Sequence, residues 1–228
     1  MVLEFFRRGR ASQLEQIERK IGDMLGDARH SFDLSASALL AGANPAVVGD
    51  DVHATDKRIN ATEREIRRDL VVHASVHGAG SDVSMTLAYM AVSKDVERIG
   101  DYAKNIWDLA NMGIDFSAAE DAARLGSYQQ RVSQLIARTT HILLGRATDE
   151  AREQLAQADV MLKEFDARIT ECVRSDLPSS HGVPRALYFR YLKRITAHLM
   201  NVLTALTMPV DRLAYFDEAE EDRLPLDD

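Results

Sequence analysis

Met85 to Ala110 reads MTLAYMAVSKDVERIGDYAKNIWDLA. Its apolar residues Met85, Tyr89, Val92, Val96, Ile99, Ala103, Ile106 and Ala110 fall at alternating spacings of four and three, the period of a helix that buries one side over many turns. Adding 96 to the last six positions gives Tyr188, Leu192, Ile195, Leu199, Val202 and Leu206, every one apolar. The same shift carries Arg98 onto Arg194 and Asn105 onto Asn201. One helical design is therefore expected twice in the chain.

Working outward, helix signals dominate. Ser12 with Glu15, and Ser117 with Glu120, have the spacing of capping boxes, and Asn44 before Pro45 reads as an N-cap followed by proline at the first helical position. HGAGSD breaks the second helix, and Ser81 is placed to cap a third. Helices are expected from about Ser12, Pro45 and Ser81, and again from about Ser117, Thr148 and Val183. Nowhere do β-branched residues alternate convincingly with polar ones. The fold class is all-α, with two tandem three-helix bundles over 1–115 and 116–228. The NMGIDF stretch, Asn111 to Phe116, marks the boundary because glycine follows the apolar seam.

The second helices carry acids on their seams. Val52, Asp56, Ile59, Glu63, Ile66 and Leu70 keep the four-and-three spacing, and a shift of 103 sets Asp159, Leu162, Asp166, Ile169 and Val173 against the last five. A carboxylate facing a core needs a partner, because an isolated buried charge is costly. The polar residues repeated on both third helices, Arg98 with Arg194 and Asn105 with Asn201, can supply the donors. The expected structural network is therefore Asp56, Glu63, Arg98 and Asn105 in one bundle, and Asp159, Asp166, Arg194 and Asn201 in the other. On that reading Arg98→Leu strands a buried carboxylate, whereas Glu97→Ala does little to stability.

Glu97 and Asp101 lie four apart on a neighbouring face, a spacing that offers two carboxylates to a hard cation. Their counterparts are Lys193 and Ala197, so a site of this kind is expected once. A solvated acidic face is the other reading of the same pair.

Composition narrows the classes. A formal net charge of -8 and the lack of a basic stripe argue against nucleic-acid binding. The best basic stretch, DKRINATEREIRRDL, interleaves its cations with acids, as a salt-bridged face does. A single cysteine, Cys172, forms no internal disulfide and reads as a small buried residue in a reducing compartment. MVLEFFRRGR is too short for a signal peptide and no stretch reaches transmembrane length. Phe5, Phe6, Arg7, Arg8 and Arg10 either tuck against the neighbouring bundle or rest on a membrane surface or partner. A cytoplasmic protein is expected.

KDVERIGDYAKNI, Lys94 to Ile106, resembles the signature of the PhoU family of phosphate-uptake regulators, and DKRINATEREI resembles that family's second helix. With the six-helix repeat, the resemblance covers most of the chain. It implies a cytoplasmic, non-enzymatic adaptor that represses phosphate uptake and phosphate-starvation signalling. The implied partners are the ATPase of a phosphate transporter and a sensor histidine kinase, with membrane association only through partners, while open helical surfaces lead to the expectation of a homodimer. It also implies a divalent or ferric ion at Glu97 and Asp101, the first repeat's match to the family's acidic motif. RYLKRITAHLMNV in the second repeat departs from that motif.

Other classes fit less well. A carboxylate-bridged metal oxidase needs Glu-x-x-His pairs, and no glutamate here has histidine three residues later. His73 and His77 have helix spacing for a metal pair but sit beside a glycine break, as at a frayed helix end. The glycines are scattered and form no phosphate loop. A helical metal-binding or transcription-related interaction protein unconnected with phosphate is the remaining alternative.

Overall fold

The structure is a computed structural model that describes residues 2–77 and 83–213, with side chains from 13 to 76 and from 83 to 213. Six helices follow one another: α1 Val2–Leu40, α2 Pro45–His77, α3 Val83–Asn111, α4 Ala122–Gly145, α5 Thr148–Arg174 and α6 Ser179–Thr207, with a 3-10 turn at Val210–Arg212. Helices α1 to α3 form one bundle and α4 to α6 the other, and α3 against α6 and α1 against α4 join them. These four make the centre of the molecule, while α2 and α5 flank it.

The apolar seam does what its period demands. Val92, Val96, Ile99, Ala103 and Ile106 are buried, as are Tyr188, Leu192, Ile195, Leu199 and Val202. Because α6 packs on α3 as well as on α5, it is buried along much of its circumference. The bundles run against each other. Asp95 of α3 bonds His198 and Asn201 of α6, and Tyr102 meets Arg194, so α3 and α6 are antiparallel. In the same way Asp33 of α1 bonds Gln129 and Ser133 of α4 while Glu18 meets Arg146.

Several expected helix ends move. The Asn44 cap is present, its Oδ1 accepting the Ala46 N–H at 3.0 Å. Ser12 is not a cap, since α1 runs unbroken through it from Val2. Ser117 is not one either: α4 starts at Ala122, and the Ser117 N–H is taken at 2.7 Å by Asp115 in a local turn. Helix α6 starts at Ser179, ahead of Val183, and carries Pro184 inside it. Ser81 lies outside the described residues, as do the side chains of Phe5, Phe6, Arg7, Arg8, Arg10 and His77. His73 is no frayed end; it is 1% exposed and its Nδ1 lies 3.2 Å from Gln13.

Between the bundles, Gly113 adopts a φ of +89° that ends α3. Phe116 then bonds back to the first bundle, its N–H donating to Leu39 O at 2.8 Å. The connection is thus fastened to α1.

Helix α5 corrects the expected register. Burial falls on Ala151, Gln154, Leu155, Ala158, Leu162 and Phe165, while Asp166 and Val173 are exposed. Matching buried positions pairs Val52, Thr55, Ile59, Glu63 and Ile66 with Ala151, Gln154, Ala158, Leu162 and Phe165, a shift of 99 (151 − 52). It differs from 103 by four residues, about one helical turn, so both shifts preserve the periodicity. Only packing tells them apart.

Candidate functional site

The groove between α2 and α3 gathers the acids of the first repeat. Asp56 comes from α2, and Glu97 and Asp101 from one face of α3, with side-chain exposures of 17%, 12% and 31%. The helices approach closely because Gly49 and Gly100 lack side chains: a Cβ on Gly49 would stand 2.6 Å from the Trp107 ring, and one on Gly100 2.9 Å from Ile59. Trp107 is held by its Nε1 donating to Pro45 O at 2.9 Å.

Each acid has a local cation. Lys94 Nζ lies 2.7 Å from Glu97, Arg98 Nη1 3.3 Å from Asp101, and Lys104 Nζ 3.8 Å from Asp56. Burial, and then the negative charge of Glu97, push the Asp101 carboxyl above its ordinary range. Asp56 adds to that push, while Lys104 and Arg98 oppose it. Three carboxylates sharing one partly desolvated groove therefore repel one another, and cationic side chains hold that repulsion in check.

These carboxylates fit a hard cation in donor type but not in arrangement. Among the described residues no three His, Cys, Asp or Glu side chains converge as ligands around one point. Two acids from α3 also leave most of an oxygen shell to be supplied from elsewhere.

The expected structural network is not formed in the first bundle. Arg98 is half exposed and turns to Asp101 and Glu97 rather than to Asp56 or Glu63. Glu63 is buried and pairs with Arg67 one turn along its own helix, and Asp56 takes Lys104, not Asn105. A guanidinium on the outer side of α3 does not reach across the seam, and the i,i+4 partner costs less to order. Arg98→Leu therefore strands no buried carboxylate. In the second bundle Asp159 pairs with Lys163, and Asp166 is exposed and bonds Lys193.

Arg194 and Asn201 serve a different network, between the bundles. His198 Nδ1 lies 2.8 Å from Asp95 Oδ1, the same oxygen accepts Asn201 Nδ2 at 3.1 Å, and Arg194 lies 3.2 Å from His198 Nε2. Tyr102 stacks on His198, and the Arg194 guanidinium lies over the Tyr102 ring at 5.9 Å. A second buried clasp joins Glu18 of α1 to Arg146 after α4 and to Tyr89 of α3, whose hydroxyl donates at 2.7 Å. Asp95 lies within the quoted motif, yet no local spacing points to partners on α6.

A cleft of another kind lies at the far end, lined by Phe116, Asp121, Arg124, His181 and Arg185. Arg185 spans both Asp121 oxygens at 2.7 and 3.1 Å and covers the Phe116 ring at 4.8 Å. Its guanidinium holds Asp121 below the usual carboxylate range. Cys172, half buried nearby, has its thiol pushed up by burial, which suits an inert packing residue.

Residues 21–110 match the family profile of the PhoU domain, a span that includes α2, α3 and the groove between them. The whole fold matches the crystal structure of PhoU from Pseudomonas aeruginosa at a TM-score of 0.74 and 20% identity, over 86% of this chain and 96% of that one. It also matches the phosphate transport system regulatory protein PhoU from Streptococcus pneumoniae at a TM-score of 0.71 and 16% identity, over 95% and 100%. No curated protein matches the chain significantly. The likeness to PhoU read from Lys94 to Ile106 is thus borne out, as is the architecture of two three-helix bundles.

Proposed function

We propose that this chain is a non-enzymatic regulator of phosphate homeostasis that holds down phosphate uptake and phosphate-starvation signalling through protein contacts. The observation that carries this reading is the PhoU domain match over residues 21–110, which contains the acidic groove. The solved PhoU of Streptococcus pneumoniae is described as a regulatory protein of a phosphate transport system, and the shared architecture supports carrying that role over. Among the described residues no helix is long and apolar enough to cross a membrane. The chain then acts in the cytoplasm, as a homodimer, on the ATPase of a phosphate transporter and on a sensor histidine kinase, and it meets the membrane only through them.

Within this reading, Glu97 and Asp101 offer two carboxylates to a divalent or ferric ion, and the rest of its oxygen shell comes from other groups. A cation there relieves the repulsion that raises Asp101 and replaces Lys94 and Lys104 as counter-charge. Metal analysis of protein purified without chelator checks this, and an equal metal content in Glu97→Ala/Asp101→Ala protein would remove the site.

The regulatory reading is tested by affinity capture of tagged protein from gently solubilised cells grown with ample and with limiting phosphate. Recovery of a phosphate-transporter ATPase or a membrane histidine kinase, in amounts that follow phosphate supply, is the expected result. Capture of neither overturns the phosphate assignment and leaves the fold untouched.

A further inference from the structure

Tyr102 of α3 and His198 of α6 hold equivalent places in the two repeats, a shift of 96 (198 − 102), and they stack on each other with ring centroids 5.8 Å apart. Matching positions thus meet where the bundles join. The same shift carries Asp95 onto Tyr191 (191 − 95), and here the halves differ in chemistry. Tyr102 has the Tyr191 ring 6.1 Å away, whereas His198 has the Asp95 carboxylate at 2.8 Å. One half of a symmetric contact is aromatic, and the other holds a base that can take up a proton.

Arg194 fixes the state of that base. Its Nη2 lies 3.2 Å from His198 Nε2, and a guanidinium has only hydrogens to offer. Nε2 therefore accepts, and the ring is neutral with its hydrogen on Nδ1, donated to Asp95 Oδ1. The ring is 7% exposed, and few charged groups face it. Asp95 does so from α3 and Arg194 from α6 itself, while Tyr102 stacks on it. Arg98, the next cation along α3, turns away to Asp101 and Glu97. On the α5 side of α6, Lys193 is bound to Asp166. Among the described residues no charged group of α4 or α5 bonds to His198.

We propose that His198 is a proton-operated latch on Arg194. A proton taken from solvent by Nε2 sets N–H against N–H, so Arg194 lets go of His198 and of Tyr102, whose hydroxyl its Nε reaches at 3.3 Å. The imidazolium stays on Asp95, now through a charge-assisted bond. One contact between the bundles is given up and another is strengthened. The bundles remain joined, and the change is on the outside: Arg194, already partly exposed, becomes a mobile cation open to an acidic group of whatever docks there. Acidification thereby alters the α3 and α6 surface without unfolding it. Neither the metal nor the phosphate reading enters, so the inference stands apart from both.

Nuclear magnetic resonance of the full-length protein tests it. At about pH 8, long-range proton–nitrogen spectra should place the His198 hydrogen on Nδ1, and cross-peaks should join the Arg194 side chain to the Tyr102 ring. Between about pH 8 and pH 5 those cross-peaks should disappear in step with the charging of His198. In His198→Gln, whose amide oxygen can accept from Arg194 but takes up no proton, they should persist over the same range. A hydrogen on Nε2 at the alkaline end overturns the proposal in the wild type alone, as do cross-peaks that survive the charging of His198. Their loss at the same pH in His198→Gln overturns it too, because the release then does not pass through this ring.

Discussion

Arg146 ends α4 in a left-handed conformation, φ 50°, and from there its guanidinium grips Glu18 of α1 at 2.6 and 3.0 Å. Glu18 is 5% exposed and also accepts the Tyr89 hydroxyl, so one carboxylate ties three helices from both bundles. Arg146→Met leaves that carboxylate with a hydroxyl alone. Because Arg146 is itself half exposed, the expected loss of unfolding free energy is about 2 kcal/mol, near the low end for a stranded buried charge. Chemical denaturation of this variant and of Glu18→Gln/Arg146→Met measures it, and the double variant should recover part of the loss.

Asp101 gives a pH dependence of definite sign. Its folded carboxyl titrates above the ordinary value of 3.8, so the folded state holds that proton more tightly than the unfolded state. Its contribution to stability is best below 3.8 and declines as pH rises through its raised folded value, staying flat above. Asp101→Asn should raise the melting temperature at neutral pH and remove this decline. A lower melting temperature in Asp101→Asn would show that the carboxylate is held by attraction instead of crowding.

Asp121 has the opposite sign. Arg185 depresses its carboxyl, so the stability it adds is present above the ordinary value of 3.8 and is lost as pH falls through the depressed folded value. Arg185→Met should lower stability at pH 7 and make the protein less sensitive to acid between those limits. Melting temperatures of both proteins across the acid range check this.

A cation at Glu97 and Asp101 should leave a thermal signature. Divalent or ferric ion added to the wild type raises its melting temperature through binding to the folded state, and Glu97→Ala/Asp101→Ala abolishes that rise without lowering the metal-free melting temperature. An equal rise in both proteins places the ion elsewhere.

Gly49 reports on the closeness of α2 and α3. A Cβ there meets the rigid Trp107 ring at 2.6 Å, whereas one on Gly26 meets nothing within 4 Å. Gly49→Ala should destabilise by about 1–3 kcal/mol through overpacking, while Gly26→Ala should stabilise by up to about 1 kcal/mol as a helix substitution. Trp107 is the sole tryptophan, so its emission should shift in Gly49→Ala and not in Gly26→Ala.

The candidate site was legible only in part. Glu97 and Asp101 stand on one face of α3 because four residues make about one turn, and no tertiary information was needed for that. Arg98 was the misassigned residue, since it could be matched with Asp56 and Glu63 only by supposing which way its side chain reached. In the structure Lys94 and Arg98 serve the two acids from within α3, and Lys104 crosses to Asp56. Asp95 went unnoticed because its partners His198 and Asn201 lie on α6, about a hundred residues along the chain.

Helix class, the duplicated design and the seams of α3 and α6 were determined by the sequence itself, because the helical period belongs to one helix and is written in consecutive residues. The register of α5 against α2 and the partners of Glu18, Asp56 and Asp95 were decided by tertiary structure. Sliding a repeat by one turn leaves its periodicity intact while changing which side chains meet, and an ion pair between helices depends on where their axes cross and how far each side chain extends. Packing sets those quantities, and no run of consecutive residues records them.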